Sequence, residues 1–200
     1  MNHAGCVLAA GASRRMGTPK ATLRVNDTDY LADVQADLLA QAGCAPVVIV
    51  LGAEAATIQS RLRSPGIVTN PDWAQGRLTS VRAALQALRQ APSPPAGFVW
   101  LPVDAAFIQP ATIRYLLEQA MQQQAAAMRP TYQGAPGYLL WMSQCLAEEL
   151  CTATLPPDTP LNQYLAPHTT PLPVNDPAIL HNANSPEEWA RLNRLTGSSE

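Results

Sequence analysis

Residues 8–20 of the chain read Leu-Ala-Ala-Gly-Ala-Ser-Arg-Arg-Met-Gly-Thr-Pro-Lys. They follow directly on an apolar run, residues 4–10, whose composition is typical of a buried first strand. The two glycines of the stretch lack a Cβ, so the backbone is able to bend around an anion and direct N–H groups toward it. Pro19 restricts the backbone just before Lys20 and so sets the direction in which the ammonium leaves the loop. The stretch therefore predicts an anion-binding turn, of a kind that holds a triphosphate.

The composition favours one compact domain spanning residues 1–200. Of 200 residues, 47% are hydrophobic and 14% are charged, and the net charge is −2. A chain of this length buries a three-layer core without disulfides or structural metals. Broad binding to nucleic acid is disfavoured, because the adjacent pair Arg14 and Arg15 is the main basic cluster. No apolar run is long enough to cross a membrane, and the N-terminus lacks a signal-peptide pattern, so we expect a cytoplasmic protein.

Neither the cysteines nor the histidines have the spacing of a metal site. The cysteines are Cys6, Cys44, Cys145 and Cys151. They form no Cys-x-x-Cys pair and have no neighbouring histidine, so we interpret them as buried thiols. The histidines are His3, His168 and His181. They are too dispersed to form one site, and we assign them surface or capping roles.

Apolar runs alternate with segments of helical periodicity along the chain. Residues 46–51 and 98–103 are continuous apolar runs, which suit parallel strands covered on both faces. Further strands are predicted at residues 66–69 and 126–132, with an apolar stretch at 138–142, and helices at 30–43, 54–62, 79–90, 110–124, 143–151 and 186–195. Residues 91–97 are predicted to form a surface connection, and the proline-rich segment before the last helix is predicted to be irregular. The alternation indicates an α/β fold of three layers with a mostly parallel central sheet.

Asp104 stands at the end of the apolar run 98–103. Ligands of open α/β sheets collect at the carboxyl ends of parallel strands, where residues 11–20 are also expected to lie. An aspartate in this position has two interpretations: it caps the next turn, or it holds a hard divalent cation that neutralises a triphosphate under attack. Its place at the end of a central strand favours the second interpretation, a metal ligand.

Residues 8–20 lack the Gly-x-Gly-x-x-Gly of a dinucleotide fold and the Gly-Lys-Ser/Thr ending of a P-loop. They resemble, position by position, the Leu-Ala-Ala-Gly-x-Ser-x-Arg-Met-Gly-x-Pro-Lys signature of the molybdenum cofactor nucleotidyltransferases, which belong to the wider nucleoside-triphosphate (NTP) transferases. Residues 70–81 resemble the family's Asn…Gly…Ser segment, and residues 102–104 match its Pro-x-Asp segment, which supplies a magnesium ligand. The resemblance implies a Rossmann-like nucleotidyltransferase fold of the GT-A type, with Mg²⁺ as cofactor.

The resemblance also implies which residues bind the nucleotide. They are Leu8, Ala9, Ala10, Gly11, Ala12, Ser13, Arg14, Arg15, Gly17, Lys20, Asn70, Gly76, Arg77 and Ser80. The catalytic residues it implies are Arg15, Lys20 and Asp104. Ser80 is alternatively a helix cap, and Arg77 is alternatively a solvated residue at a helix start. We interpret Trp73 as an aromatic cap beneath its loop.

Two segments depart from the family pattern. Residues 137–139 are Gly-Tyr-Leu where cytidylyltransferases of the family show Gly-His-Pro, so a proposed contact to the pterin is changed. Residues 182–188 are Asn-Ala-Asn-Ser-Pro-Glu-Glu where the family often shows Asp-x-Asp-Thr-Pro-Glu-Asp. Asn184 then takes the place of the second metal carboxylate and offers an oxygen ligand without a formal charge. The guanylyltransferase branch resembles this Asn-x-Asn form.

These residues predict transfer of a nucleotidyl group from an NTP to a phosphorylated acceptor, with release of pyrophosphate. The resemblance implies molybdopterin as that acceptor. We favour CTP as the donor, because the methyl group of Ala10 would crowd a purine. The alternatives are a GTP-dependent guanylyltransferase, an enzyme acting on a sugar phosphate or another small phosphate, and an inactive nucleotide-binding module that partners a molybdoenzyme.

Overall fold

The computed structural model describes residues 2–89, 93–156 and 158–196. The strands of this described part are β1 (His3–Ala9), β2 (Cys44–Leu51), β3 (Ile67–Thr69), β4 (Gly97–Pro102), β5 (Ala127–Tyr132), β6 (Ala135–Pro136), β7 (Leu140–Ser143) and β8 (Thr169–Pro173). Its α-helices are α1 (Leu31–Gln41), α2 (Ala55–Gln59), α3 (Arg77–Leu88), α4 (Pro110–Gln122), α5 (Gln144–Thr152), α6 (Leu161–Leu165) and α7 (Pro186–Thr196). Short 3-10 helices lie at Lys20–Thr22, Trp73–Gln75, Ala166–His168 and Pro177–Leu180.

The strands form one mixed sheet in the order β3-β2-β1-β4-β7-β5-β6, with β8 paired to β5. Strand β1 runs parallel to both β2 and β4, and β2 runs parallel to β3. Strand β7 is antiparallel to β4 and to β5. Leu8 of β1 pairs with Val50 on one side and with Pro102 on the other. The segments that follow β1 and β4 therefore leave the sheet side by side at one edge.

Helices cover both faces of this sheet. Alternate residues along each strand point to opposite faces, so β1 contributes Val7 to one apolar cluster and Cys6 to the other. The first cluster joins the strands to α1 and α4, and the second joins them to α3, α5 and α6. The fold is therefore α/β with a mixed, mostly parallel sheet between helical layers, as the alternation of apolar runs and helical segments predicts.

The proline-rich segment before α7 contains a strand that the sequence pattern does not predict. Strand β8 pairs in parallel with β5, and Pro171 lies opposite Arg129. In the described part of the chain β8 has only β5 as a neighbour, so it is an edge strand, where proline is tolerated because fewer N–H groups are needed for pairing. Helix α6 likewise falls in a segment that is predicted to be irregular. The predicted connection at residues 91–97 lies partly outside the described residues.

The interpretation of the cysteines is correct for two and wrong for the others. Cys6 and Cys44 are buried in the sheet, whereas Cys145 is exposed and Cys151 is half-buried on α5. Burial raises the pKa of the Cys44 thiol to about 12 and raises the pKa of Cys6 as well. The helical periodicity of α5 places Leu146 and Leu150 toward the core and leaves Cys145 on the opposite side.

The surface or capping role assigned to His3 is wrong. His3 is 6% exposed, because its strand lies between β2 and β4. Its Nδ1 accepts a hydrogen bond from Trp141 Nε1 at 3.4 Å. Burial lowers the pKa of this imidazole, which favours the neutral form that accepts this bond.

No helix among the described residues is both long enough and apolar enough to cross a lipid bilayer.

Candidate active site

The loop after β1 folds back on itself through Ser13. The backbone of Ser13 is left-handed, with φ 50°, and its carbonyl accepts a hydrogen bond from the N–H of Met16 at 2.9 Å. Its hydroxyl Oγ accepts a second bond from the backbone N–H of Lys20 at 3.0 Å. Gly17, which lies between Met16 and Lys20 in the chain, also has a left-handed backbone, with φ 65°. These bonds hold the start of the Lys20–Thr22 turn against the first part of the loop.

The side chain of Lys20 joins this loop to two distant parts of the chain. Lys20 is the only lysine in the sequence. Its Nζ donates to Asp104 Oδ2 at 2.6 Å and to Asn184 Oδ1 at 2.9 Å. The Lys20 and Asp104 side chains are only 13% and 19% exposed, so their attraction is less screened than that of a surface pair. The structure therefore brings into contact three of the four residues predicted to be catalytic or metal-binding, and the fourth, Arg15, is not part of this contact.

Asn184 is positioned by the residues that start α7. Its backbone N–H and that of Ser185 donate to Glu188 Oε2 at 2.7 and 3.1 Å. The N–H of Glu188 donates in return to Ser185 Oγ at 3.3 Å. This reciprocal pattern is a capping box. The N–H of Ala183 donates to the carbonyl of Asp104 at 3.0 Å, which ties this segment to the end of β4.

A cleft of about 380 Å³ opens at the carboxyl edge of the parallel strands. The predicted site residues that line it are Leu8, Ala9, Ala10, Gly11, Ser13, Arg14, Arg15, Lys20, Gly76, Arg77, Ser80, Asp104 and Asn184. Ala12, Gly17 and Asn70 do not line it. Four lining residues fall outside the predicted set, namely Met16, Trp73, Pro102 and Val103.

Trp73 lies at the same end of the cleft as Ala10. A Cβ added at Gly52 would come within 2.5 Å of Trp73 Cβ and 2.7 Å of the Ala10 carbonyl oxygen. Gly52 is thus the position that lets the tryptophan approach the end of β1. Trp73 is partly buried against the second apolar cluster, and it also lines the cleft. Its position in the loop that follows β3, at the ligand-binding edge of the sheet, is the signal for this second property.

Asn70 is a buried residue that joins two segments of the site by hydrogen bonds. It is 2% exposed, and its Nδ2 donates to Thr79 Oγ1 at 2.8 Å and to Ser80 Oγ at 3.0 Å. Its Oδ1 accepts the backbone N–H of Asp72 at 3.0 Å. These bonds attach the loop after β3 to the first turns of α3. Ser80 lies four residues past Gly76, the N-cap of α3, so its hydroxyl serves Asn70 and the cleft rather than the cap.

The cleft carries unpaired positive charge. Arg14, Arg15 and Arg77 are exposed on its lining. Within the described residues, none of these arginines forms an ion pair, because the ion pairs there join Lys20 to Asp104 and Arg63 to Asp29 and Asp37. Guanidinium groups match phosphate oxygens in geometry and charge. The arrangement is therefore suited to an anion with several phosphates.

The donor set around Lys20 fits a hard divalent cation. One carboxylate oxygen and one amide oxygen converge on a position that the ammonium contacts, and oxygen donors of this kind are the ligands that Mg²⁺ and Mn²⁺ take. Among the described residues, no group of three or more His, Cys, Asp or Glu side chains could hold a metal. The remaining ligands of a cation here would be phosphate oxygens and water, which is how Mg²⁺ is commonly bound with nucleotides.

The fold and the cleft define a nucleotide-binding α/β protein of the NTP transferase class. Residues 5–170 match the MobA-like NTP transferase domain, and the chain belongs to that family of nucleotidyltransferases. The resemblance drawn from residues 8–20 is thereby confirmed.

Two curated relatives match part of the chain. A probable molybdenum cofactor guanylyltransferase of Opitutus terrae is 41% identical over 102 residues, which are 51% of this chain and 46% of the relative. Nicotine blue oxidoreductase of Paenarthrobacter nicotinovorans is 42% identical over 82 residues, 40% of each chain. The chain thus spans less than half the length of the curated relatives it matches.

Solved structures support the fold over nearly the whole chain. The crystal structure of Rv0371c from Mycobacterium tuberculosis superposes with a TM-score of 0.75 at 24% identity, over 97% of this chain and 98% of that one. The same protein in complex with manganese gives 0.73 at 22% identity, over 97% and 99%. Molybdopterin-guanine dinucleotide biosynthesis protein A from Archaeoglobus fulgidus gives 0.73 at 20% identity, over 96% and 98%.

Asn70→Ala is expected to destabilise the protein. The change leaves the Asp72 N–H and two hydroxyl groups without their buried partner, which lowers the free energy of unfolding by about 1–3 kcal/mol. Urea denaturation measures this loss. Gln75→Ala is the matched control, because among the described residues the Gln75 amide bonds only the exposed side chain of Asp72, and a change of less than about 0.5 kcal/mol is expected. Equal effects of the two substitutions would contradict the supporting role of Asn70.

Proposed function

We propose that the protein transfers a nucleotidyl group from an NTP to a phosphorylated acceptor and releases pyrophosphate. The observation that carries the proposal is the contact of the Lys20 ammonium with both Asp104 and Asn184, in a cleft lined by Arg14 and Arg15. It combines cationic donors for a triphosphate with oxygen donors for a divalent cation in one cleft. We also propose that residues 1–200 fold as a single domain.

The residues of this chain act by positioning and by charge. The loop amides, Arg15 and Lys20 bind the triphosphate and neutralise the charge that develops on the departing pyrophosphate. Lys20 donates to the phosphate in place of Asp104 and Asn184. An acceptor phosphate is already ionised at neutral pH, so no side chain has to remove a proton from it. Asp104 and Asn184 would hold Mg²⁺, which supplies charge neutralisation at the reacting phosphate.

We propose CTP as the preferred donor. Ala10 and Trp73 both line the cleft, and beside the Ala10 methyl group a pyrimidine requires less room than a purine. GTP is the alternative, in keeping with the guanylyltransferase name of the relative from Opitutus terrae. For the acceptor we propose molybdopterin. A sugar phosphate or another small phosphate is the alternative, because Tyr138, 44% exposed, stands where cytidylyltransferases of the family show histidine.

The test is pyrophosphate release with each of the four NTPs and Mg²⁺, with and without molybdopterin. We expect release with CTP that depends on molybdopterin. Release with GTP and with no other NTP would overturn the choice of base. Release with a sugar phosphate as acceptor, but not with molybdopterin, would overturn the choice of acceptor. Nucleotide binding without release in every combination would overturn the enzymatic proposal in favour of an inactive module.

Lys20→Ala is expected to lower kcat/KM by roughly 100-fold or more, because a cationic donor to the developing charge is lost. Near-ultraviolet circular dichroism is expected to stay that of the parent protein, since the side chain packs against polar groups. A second readout uses the fact that Lys20 is the only lysine. An amine-reactive acetyl donor labels it, and bound NTP is expected to slow that labelling in a mass-spectrometric time course. Labelling at an unchanged rate would contradict contact with the triphosphate.

Asp104→Asn is expected to raise the Mg²⁺ concentration for half-maximal activity at least about tenfold, since a charged ligand becomes a neutral one. Mn²⁺ binding, followed by electron paramagnetic resonance with NTP present, is expected to weaken in parallel. Asp27→Asn, an exposed carboxylate in another loop, serves as the control and leaves both quantities unchanged. An unaltered Mg²⁺ titration for Asp104→Asn would remove this residue from the proposed metal site.

A further inference from the structure

Arg129, on strand β5, is a further arginine and lies beyond the cleft lining. Ala127 and Met128 belong to the two opposite apolar clusters, so the alternation of β5 directs Arg129 to the face that α3, α5 and α6 cover. The contact of Arg129 with Asn162 of α6 agrees with this direction. Arg77 begins α3 on the same face and lines the cleft.

The guanidinium of Arg129 is incompletely partnered. One terminal nitrogen donates to Asn162 Oδ1 at 3.0 Å, and the Nε is buried without a hydrogen-bond partner among the described residues. No carboxylate of the described residues forms an ion pair with Arg129 or with Arg77. Half-buried charges in proteins are ordinarily paired, because removal from water is costly otherwise.

The positive charge of Arg77 makes this arrangement less favourable still. Burial, and then the positive charge of Arg77, lower the pKa of the Arg129 guanidinium. Two cations on the same face of the sheet therefore act on one another, and no carboxylate of the described residues forms an ion pair with either. An anion bound between them would remove the repulsion and supply the missing hydrogen-bond acceptors.

We propose that Arg129 and Arg77 form a subsite for the anionic group of the acceptor substrate. This inference rests on the proposed transfer reaction, in which the acceptor carries a phosphate. The loop cations Arg14, Arg15 and Lys20 already account for the triphosphate of the donor. Their loop leads into the layer of α1, whereas Arg77 and Arg129 lie on the side of α3. An in-line displacement needs its attacking group opposite the leaving pyrophosphate, so the acceptor requires a phosphate site apart from the triphosphate loop. Arg77 lines the nucleotide cleft, and Arg129 lies beyond it on the same face of the sheet.

Binding of inorganic phosphate tests the subsite without turnover. Isothermal titration of metal-free protein at constant ionic strength is expected to detect two phosphate sites, one at the loop and one at the arginine pair. Arg129→Gln weakens phosphate binding at the arginine pair at least about tenfold and leaves binding at the loop unchanged. Lys20→Ala weakens binding at the loop and leaves binding at the arginine pair unchanged. Arg77→Gln also weakens phosphate binding at the second site. The loss of binding free energy in the double variant with Arg129→Gln is smaller than the sum of the losses in the two single variants, because one anion contacts both residues.

The controls separate this role from a structural one. Arg114→Gln removes an exposed arginine of α4 that bonds only the Gln41 carbonyl and leaves both phosphate affinities unchanged. Arg129→Lys keeps the charge without the planar fork and restores part of the lost affinity. Thermal unfolding of Arg129→Gln verifies that the protein is folded at the titration temperature.

Kinetics distinguish this inference from the proposed function. With the acceptor identified by pyrophosphate release, Arg129→Gln is expected to raise KM for the acceptor at least about tenfold while KM for the NTP stays constant. Two phosphate sites in a protein without transfer activity would sink the proposed function and leave the anion subsite standing. Active enzyme in which Arg129→Gln changes neither phosphate binding nor the acceptor KM would overturn the subsite alone.

Discussion

The contact of one ammonium with two oxygens holds the candidate site together. Lys20 follows β1, Asp104 follows β4 and Asn184 precedes α7. The bonds from Lys20 to Asp104 and to Asn184 span 84 and 164 positions of the chain. Each segment reaches the contact by its own local bonds: Ser13 Oγ holds the Lys20 N–H, and the capping box of α7 orients Asn184. The parallel pairing of β1 with β4 places the first two segments side by side. Because both side chains are mostly shielded from water, solvent competes only weakly for the contact between Lys20 and Asp104.

The distribution of charge follows from the same arrangement. Arg63 forms ion pairs with Asp29 and Asp37 away from the cleft, whereas the arginines of the cleft lining have no carboxylate partner among the described residues. A protein of net charge −2 thus places three arginines, which form no ion pair with a described carboxylate, along one cleft. Such a concentration raises the local affinity for phosphates without making the whole surface attractive to polyanions.

The regular elements were predictable where one periodicity dominates. Continuous apolar runs in β2 and β4 indicate strands buried on both faces, and α4 shows clear helical spacing after Pro110. Strand β8 was not predictable, since Pro171 and Pro173 argue against a strand until a sheet edge is available for them. The exposure of Cys145 and the burial of His3 had the same cause, because both depend on which element packs against each side chain.

The sequence by itself determined the glycine-containing loop after β1 that is predicted to bind an anion, the aspartate after a central strand and the family to which they point, because those features are local patterns of residue type and spacing. Only the tertiary structure decided that Lys20, Asp104 and Asn184 share one contact, that Trp73 lines the cleft and that Asn70 lies beneath it. It also decided that Arg129 lies on the same face of the sheet as Arg77 and that its Nε is buried without a hydrogen-bond partner among the described residues. The physical reason is that distances between segments far apart in the chain are set by strand order and helix packing, which no short stretch of sequence contains.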